Sequence, residues 1–144
     1  MLQKKPSPGT PLMGDELLPQ SRGLIMVAED DEDNRLLLRT MLELKGYRVV
    51  EARDGQEAVA VAKNAQPDLI LVDLQLPRLN GFAVTRSVRH EESLRGVPIV
   101  VVSGHDPAKH RKLAMAAGCN EYLHKPIDFQ RLEKLLTDLV GAAV

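Results

Sequence analysis

From residue 24 onward the chain alternates short apolar runs with helix-length amphipathic segments, five times in succession. The runs are LIMVA (24–28), YRVV (47–50), LILV (69–72), VPIVVV (97–102) and EYLH (121–124). The intervening segments carry helix punctuation. The first, NRLLLRTMLELKG, places apolar residues at 36, 37, 38, 41, 42 and 44 and ends in Gly46, a C-terminal stop. The second opens on Asp54 with Glu57 three places on, a capping-box spacing. GFAVTRSVRHEE forms the third. The fourth starts at Pro107, suited to a first turn, and stops at Gly118. The fifth has Asp128 as a cap and Leu132, Leu135, Leu136 and Leu139 on one face. Five βα units in a row predict a parallel sheet with right-handed crossovers and helices on both faces.

Strand character predicts strand order. LIMVA, LILV and IVVV are wholly apolar, as strands buried on both faces must be. The second and fifth strands carry Arg48 and His124 and are expected at the edges. The order 2-1-3-4-5 satisfies this, giving a single-domain, doubly wound (βα)5 α/β sandwich over 24–144. Residues 1–23 hold four of the nine prolines and three glycines, the composition of a flexible tail or linker.

The first strand runs directly into five consecutive carboxylates, Glu29 to Asp33. Charge at the end of a buried strand is costly to desolvate, so it needs a purpose. In an open α/β sheet, sites form beyond the carboxyl ends of the strands where strand order reverses, here between strands 1 and 3. Glu29 and Asp30 end strand 1 and Asp73 ends strand 3, so three carboxylates meet in one crevice. Clustered oxygen ligands suit Mg²⁺. Ser103 ends strand 4 and Lys125 follows strand 5. Three acids, a hydroxyl and an ammonium at four strand ends form a phosphoryl-handling set, in which a carboxylate can attack phosphorus. The acids sum to −3 and Lys125 leaves −2, which one divalent ion cancels. Asp31, Glu32 and Asp33 read as helix-start residues, favoured by the helix dipole.

The motifs VAEDDEDNR, PDLILVDLQLPRLNG, VVSGHD and YLHKPID occur in order, with 30 residues from Asp73 to Ser103 and 22 from Ser103 to Lys125. On these the chain resembles the receiver domain of two-component response regulators over about residues 24–141. The resemblance implies a flavodoxin-like fold and a phosphorelay switch. Glu29 and Asp30 would hold Mg²⁺ (or Mn²⁺) with Asp73 and the backbone carbonyl of Gln75. Asp73 would be the phosphoacceptor, while Ser103 and Lys125 would bind phosphoryl oxygens. Tyr122 would be the aromatic switch residue, Pro77 and Gly81 the turn into the third helix, and Lys125–Pro126 a cis peptide. The donor would be a histidine kinase or a histidine phosphotransfer protein. A downstream protein would read the surface of the fourth helix, fifth strand and fifth helix, with the domain a monomer or a phosphorylation-dependent dimer.

Some positions depart from the commonest family pattern. Ser103 stands where threonine is frequent, and Gly104 where alanine is frequent, which opens the phosphoryl site to water. Gln75 and His105 occupy variable positions beside the site. His90, His105, His110 and His124 have no metal-ligand spacing.

Other readings fit less well. A haloacid-dehalogenase-like phosphatase wants a second acid two residues after the strand-end aspartate, and Gln75 stands there. A flavin site wants a phosphate-cradling loop after strand 1, where five carboxylates repel a phosphate. The domain is expected to catalyse only its own phosphorylation and dephosphorylation, so it is not an enzyme on a separate substrate. A net charge of −1 gives no nucleic-acid surface. One cysteine, Cys119, excludes an internal disulfide and a cysteine-only zinc site. No apolar run reaches the roughly 20 residues that span a bilayer, and a cytoplasmic location is expected. With no DNA-binding helix pair or catalytic output module in the sequence, the domain is expected to signal by protein contact or to serve as a module of a larger regulator or hybrid kinase.

Overall fold

The computed structural model describes residues 21–141. The expected tail therefore lies almost wholly outside the described residues, as do the last three residues of the domain. Five parallel strands, β1 (Leu24–Ala28), β2 (Arg48–Ala52), β3 (Leu69–Asp73), β4 (Ile99–Ser103) and β5 (Glu121–His124), stand in the order β2-β1-β3-β4-β5. They alternate with α1 (Glu32–Leu44), α2 (Gly55–Ala65), α3 (Gly81–His90), α4 (Pro107–Ala117) and α5 (Phe129–Val140). This is the doubly wound, flavodoxin-like architecture expected from the strand pattern.

Alternate residues of each inner strand face opposite layers. Met26, Ile70, Val72, Ile99 and Val101 pack with Ala58, Ala62, Val84, Val88 and Ala114 of α2, α3 and α4. Ile25, Val27, Leu69, Leu71, Val100 and Val102 pack with Leu38, Leu42, Leu132 and Leu136 of α1 and α5. Both faces are covered, which is why the inner strands are apolar throughout. The α4 helix buries only Ala114, the weakest anchorage of the five helices.

Capping follows the sequence. Asp31, Asp54, Asn80, Asp106 and Asp128 are N-caps, each accepting from a backbone N–H of the first turn. Glu57 reaches back one residue further than a capping box requires, accepting from the Arg53 N–H at 2.6 Å. Several boundaries differ from expectation by a residue or two, and three of the differences are informative. β2 runs from Arg48 to Ala52, past the expected end at 50, because Glu51 on this edge strand finds cationic partners on α1. β4 begins at Ile99, after the proline that lacks a ladder donor, although the Pro98 carbonyl still accepts from Ile70. α3 stops at His90, and Glu92–Leu94 form a 3-10 turn that buries Leu94.

Arg22 belongs structurally to the body. Its guanidinium lies 4.8 Å over the Tyr47 ring, and it donates to the Lys45 carbonyl and to Thr137 Oγ1.

Candidate functional site at the carboxyl edge of the sheet

The register of the sheet aligns the strand ends. Ala28 pairs with Val72, Asp73 with Val102, and Ser103 with His124. The residues that follow β1 and those that end β3, β4 and β5 therefore emerge side by side. Glu29, Asp30 and Asp73 each offer a carboxylate oxygen, and these lie within 4.8 Å of one another. Among the described residues they are the one such cluster. Glu29 and Asp73 are buried while Asp30 is exposed, so the cluster opens to solvent on the Asp30 side.

Lys125 bridges the two buried acids. Its Nζ donates to Asp73 Oδ2 at 2.7 Å and to Glu29 Oε1 at 3.3 Å. Burial works against its charge, but Asp73 and Glu29 more than offset this and hold the ammonium pKa above its ordinary value. Burial also pushes the Glu29 carboxyl up, against the hydrogen bond it accepts from the Asp31 N–H, and the neighbouring Asp73 charge adds to the rise. Both directions describe crowded negative charge that one lysine only partly relieves.

Backbone turns hold the remaining oxygens. Asp73 Oδ1 accepts from the Gln75 N–H at 2.9 Å, and Glu29 Oε2 accepts from the Asp31 N–H at 3.0 Å. Ser103 is fully buried, and its Oγ accepts from the His105 N–H at 2.9 Å, which leaves the hydroxyl proton free to donate. The Lys125–Pro126 bond is cis. Gly81 lets α3 approach β3 closely. A Cβ there would lie 2.8 Å from the Asp73 carbonyl oxygen.

Tyr122 lies outside the acidic cluster, on β5. The ring expected to act as the aromatic switch is turned inward here, 2% exposed, with its hydroxyl on the His105 carbonyl.

Three features had escaped the sequence reading. Gln75 meets His105 through their side chains, Nε2 to Nε2 at 2.8 Å. His105 in turn stacks on His110, with centroids 4.7 Å apart. A cleft of about 430 Å³ is lined by Leu37, Leu38, Ile127 and Phe129 together with Glu29 and Lys125. Arg35 is the third, a buried cation whose signal was a charge in helical register with Leu38 and Leu42. Among the described residues no helix is long and apolar enough to cross a membrane.

A parallel 2-1-3-4-5 sheet with acids, hydroxyl and lysine gathered at its carboxyl edge defines a class of phosphoryl-accepting signalling domains. The chain belongs to the response regulator receiver domain family, whose model matches residues 25–137. It is 34% identical over 119 residues to the polar-differentiation response regulator DivK of Brucella suis, covering 83% of this chain and 97% of that protein. The receiver domain of the sensor histidine kinase PA1611 from Pseudomonas aeruginosa PAO1, with magnesium coordinated in its active-site cleft, is 35% identical. It superposes with a TM-score of 0.77 over 83% of this chain and 98% of that one. Vibrio cholerae chemotaxis protein CheY4 is 28% identical, with a TM-score of 0.76 over 81% and 97% of the two chains. The phosphatase alternative is not favoured. The residue it needs as an acid is Gln75, whose amide is engaged with His105.

Proposed function

We propose that this domain accepts a phosphoryl group on Asp73 from a phosphohistidine donor, assisted by Mg²⁺ or Mn²⁺, and passes the signal on through α4, β5 and α5. The observation that carries the reading is the Lys125 bridge between Asp73 and Glu29 inside a three-carboxylate cluster. Glu29, Asp30, Asp73 and the Gln75 carbonyl would hold the ion, which when bound supplies positive charge against the phosphoryl oxygens. The donor set is all oxygen, as a hard cation requires.

The chain's own groups do the rest. A carboxylate oxygen of Asp73 attacks phosphorus, the P–N bond to the donor imidazole breaks, and the electron pair leaves with the imidazole. Lys125 moves from the carboxylate pair to a phosphoryl oxygen. The free hydroxyl proton of Ser103 donates to another. Hydrolysis reverses the state by attack of water on the same phosphorus. The domain thus catalyses its own phosphorylation and dephosphorylation and acts on no separate substrate.

The donor, a histidine kinase or histidine phosphotransfer protein, would enter along the apolar cleft between α1 and the segment after β5, because that cleft opens on Glu29 and Lys125. The output partner would bind the opposite flank, where α4 is weakly anchored and Tyr122 links β5 to the loop before α4. Phosphorylation would shift a population between two packings of that flank, leaving a monomer or promoting a dimer. We place the exchange in the cytoplasm, the compartment of ATP-fed phosphoryl donors.

Incubation with acetyl phosphate and Mg²⁺ tests the reading. Intact-mass measurement should show one added phosphoryl group, absent in Asp73→Asn. A phosphorylated Asp73→Asn protein would place the acceptor elsewhere.

A further inference from the structure

Arg35 is a cation on the inward face of α1, 6% exposed and in register with Leu38 and Leu42. A guanidinium in that place carries a desolvation cost that a hydrocarbon side chain would not, so its partners must account for it. There are two. Nε donates to Glu51 Oε1 of β2 at 2.8 Å, and Nη1 donates to the main-chain carbonyl of Glu29 at 2.9 Å. Glu51 is shared with Arg39, which pairs with its other oxygen. Arg35 therefore ties the end of β1 to the end of β2 through a rigid fork.

The tie falls at one particular peptide. The Glu29 N–H is held by the Ala52 carbonyl at 3.0 Å, and its carbonyl is held by Arg35. The Asp31 N–H is held by Glu29 Oε2 at 3.0 Å. Asp30 hangs between these two anchored peptide groups. Its own side chain is exposed, and among the described residues no hydrogen bond holds its carboxylate. The direction of its Cα–Cβ bond, and so the arc its carboxylate can reach, is thus set by the peptides on either side.

We infer that Arg35 is a positioning residue for the acidic pair: by gripping the Glu29 carbonyl it fixes the Glu29–Asp30 peptide and aims Asp30 at the divalent cation. This rests on the metal-assisted transfer proposed above. Groups behind a metal ligand typically change affinity by about 10- to 100-fold when removed.

Charge and position make opposite predictions here. Deleting a cation next to three carboxylates should tighten a divalent ion by Coulomb attraction alone. Loss of positioning should weaken it. A purely structural role should lower the melting temperature and leave affinity unchanged. Mg²⁺ affinity is to be measured by titration calorimetry, and Mn²⁺ affinity by paramagnetic resonance, on wild type, Arg35→Met, Arg35→Lys and the core control Leu42→Ala. Arg35→Met should bind about tenfold or more weakly. Arg35→Lys, whose single ammonium cannot reproduce the fork, should keep the fold and recover only part of the affinity. Leu42→Ala should melt earlier yet bind as wild type. Arg35 variants that bind as tightly as wild type, or more tightly, overturn the inference, and Arg35→Lys decides it if Arg35→Met does not fold. Failure of wild type itself to bind either ion overturns the proposed function instead, so the two failures are distinct.

Discussion

Tyr122 donates its hydroxyl to the backbone carbonyl of His105 at 3.0 Å, and the His105 N–H donates to Ser103 Oγ at 2.9 Å. One residue of the loop before α4 thus connects the buried hydroxyl of β4 to the aromatic ring of β5. Tyr122→Phe keeps the ring and removes the bond. Its stability should fall by about 1 kcal/mol, the usual net worth of such a bond. Beryllofluoride should then perturb amide resonances near Asp73 while the shifts over α4 shrink. Urea denaturation and heteronuclear NMR measure the two effects. Full propagation to α4 in the phenylalanine variant would show that the ring alone carries the signal.

Gly104 has open space where a Cβ would stand, with nothing within 4 Å. Alanine therefore fits without strain and is expected to shield the proposed phosphoryl site from water. Gly104→Ala should slow decay of the aspartyl phosphate, followed by loss of radiolabel or of the phosphoryl mass. Equal or faster decay would contradict the access argument.

Gly81 sits against the carbonyl of Asp73, the proposed phosphoacceptor. In Gly81→Ala the new methyl would lie 2.8 Å from both the Asp73 carbonyl oxygen and Leu74 Cα, neither of which can swing away. The end of β3 must shift, at a cost of about 1–3 kcal/mol by analogy with overpacked cores. Both a lower melting temperature and slower phosphorylation by acetyl phosphate are expected. A variant with wild-type values of both would show that β3 yields freely.

Lys125→Ala removes the one cation that, among the described residues, bridges Asp73 and Glu29. Three uncompensated carboxylates should then bind Mg²⁺ more tightly, and phosphorylation should persist without the conformational response. Calorimetry reads the first effect and beryllofluoride-induced amide shifts the second. A normal response at α4 would remove Lys125 from the switch.

Glu51 supplies a pH signature. Burial alone would raise its pKa, but the hydrogen bonds and charges of Arg39 and Arg35 outweigh that and hold it below the ordinary value of 4.5. A carboxyl with a depressed folded pKa adds stability above its unfolded pKa, and that stability is lost as pH falls through the folded one. Wild type should therefore lose stability from just above pH 4.5 downward. Glu51→Gln should be less stable at pH 7 by about 1 kcal/mol, with the gap closing toward pH 3. Melting curves across that range check it. A gap independent of pH would assign the effect to packing.

The sequence revealed the sheet order and the strand-end chemistry for one reason. Apolar content distinguishes inner from edge strands, and parallel topology sends every strand end to the same edge. Glu29, Asp30, Asp73, Ser103 and Lys125 were legible because each stands within two residues of the end of a strand-length run. Glu51 was not, because a charge inside an edge strand looks like the strand's end until Arg35 and Arg39 are seen to pair with it. Arg35 stayed hidden because periodicity marks which face a residue occupies but not whether a cation there has partners. The resting place of Tyr122 was equally out of reach, since it depends on a carbonyl 17 residues away.

Lys125 and Glu29 touch across 96 positions of chain, with Asp73 between them. No shorter piece of the protein holds the cleft, so any ion that occupies it binds the complete sheet and nothing less. Mass action then stabilises every strand at once, by about 2.7 kcal/mol when the ion is a hundredfold above its dissociation constant. Amide protons deep in β1 and β3, such as those of Val27 and Leu71, should exchange with solvent about a hundredfold more slowly under that load. Proteases that act on the transiently opened chain should be slowed in the same proportion. Cellular magnesium would thus set how long each copy survives as well as whether it can be switched.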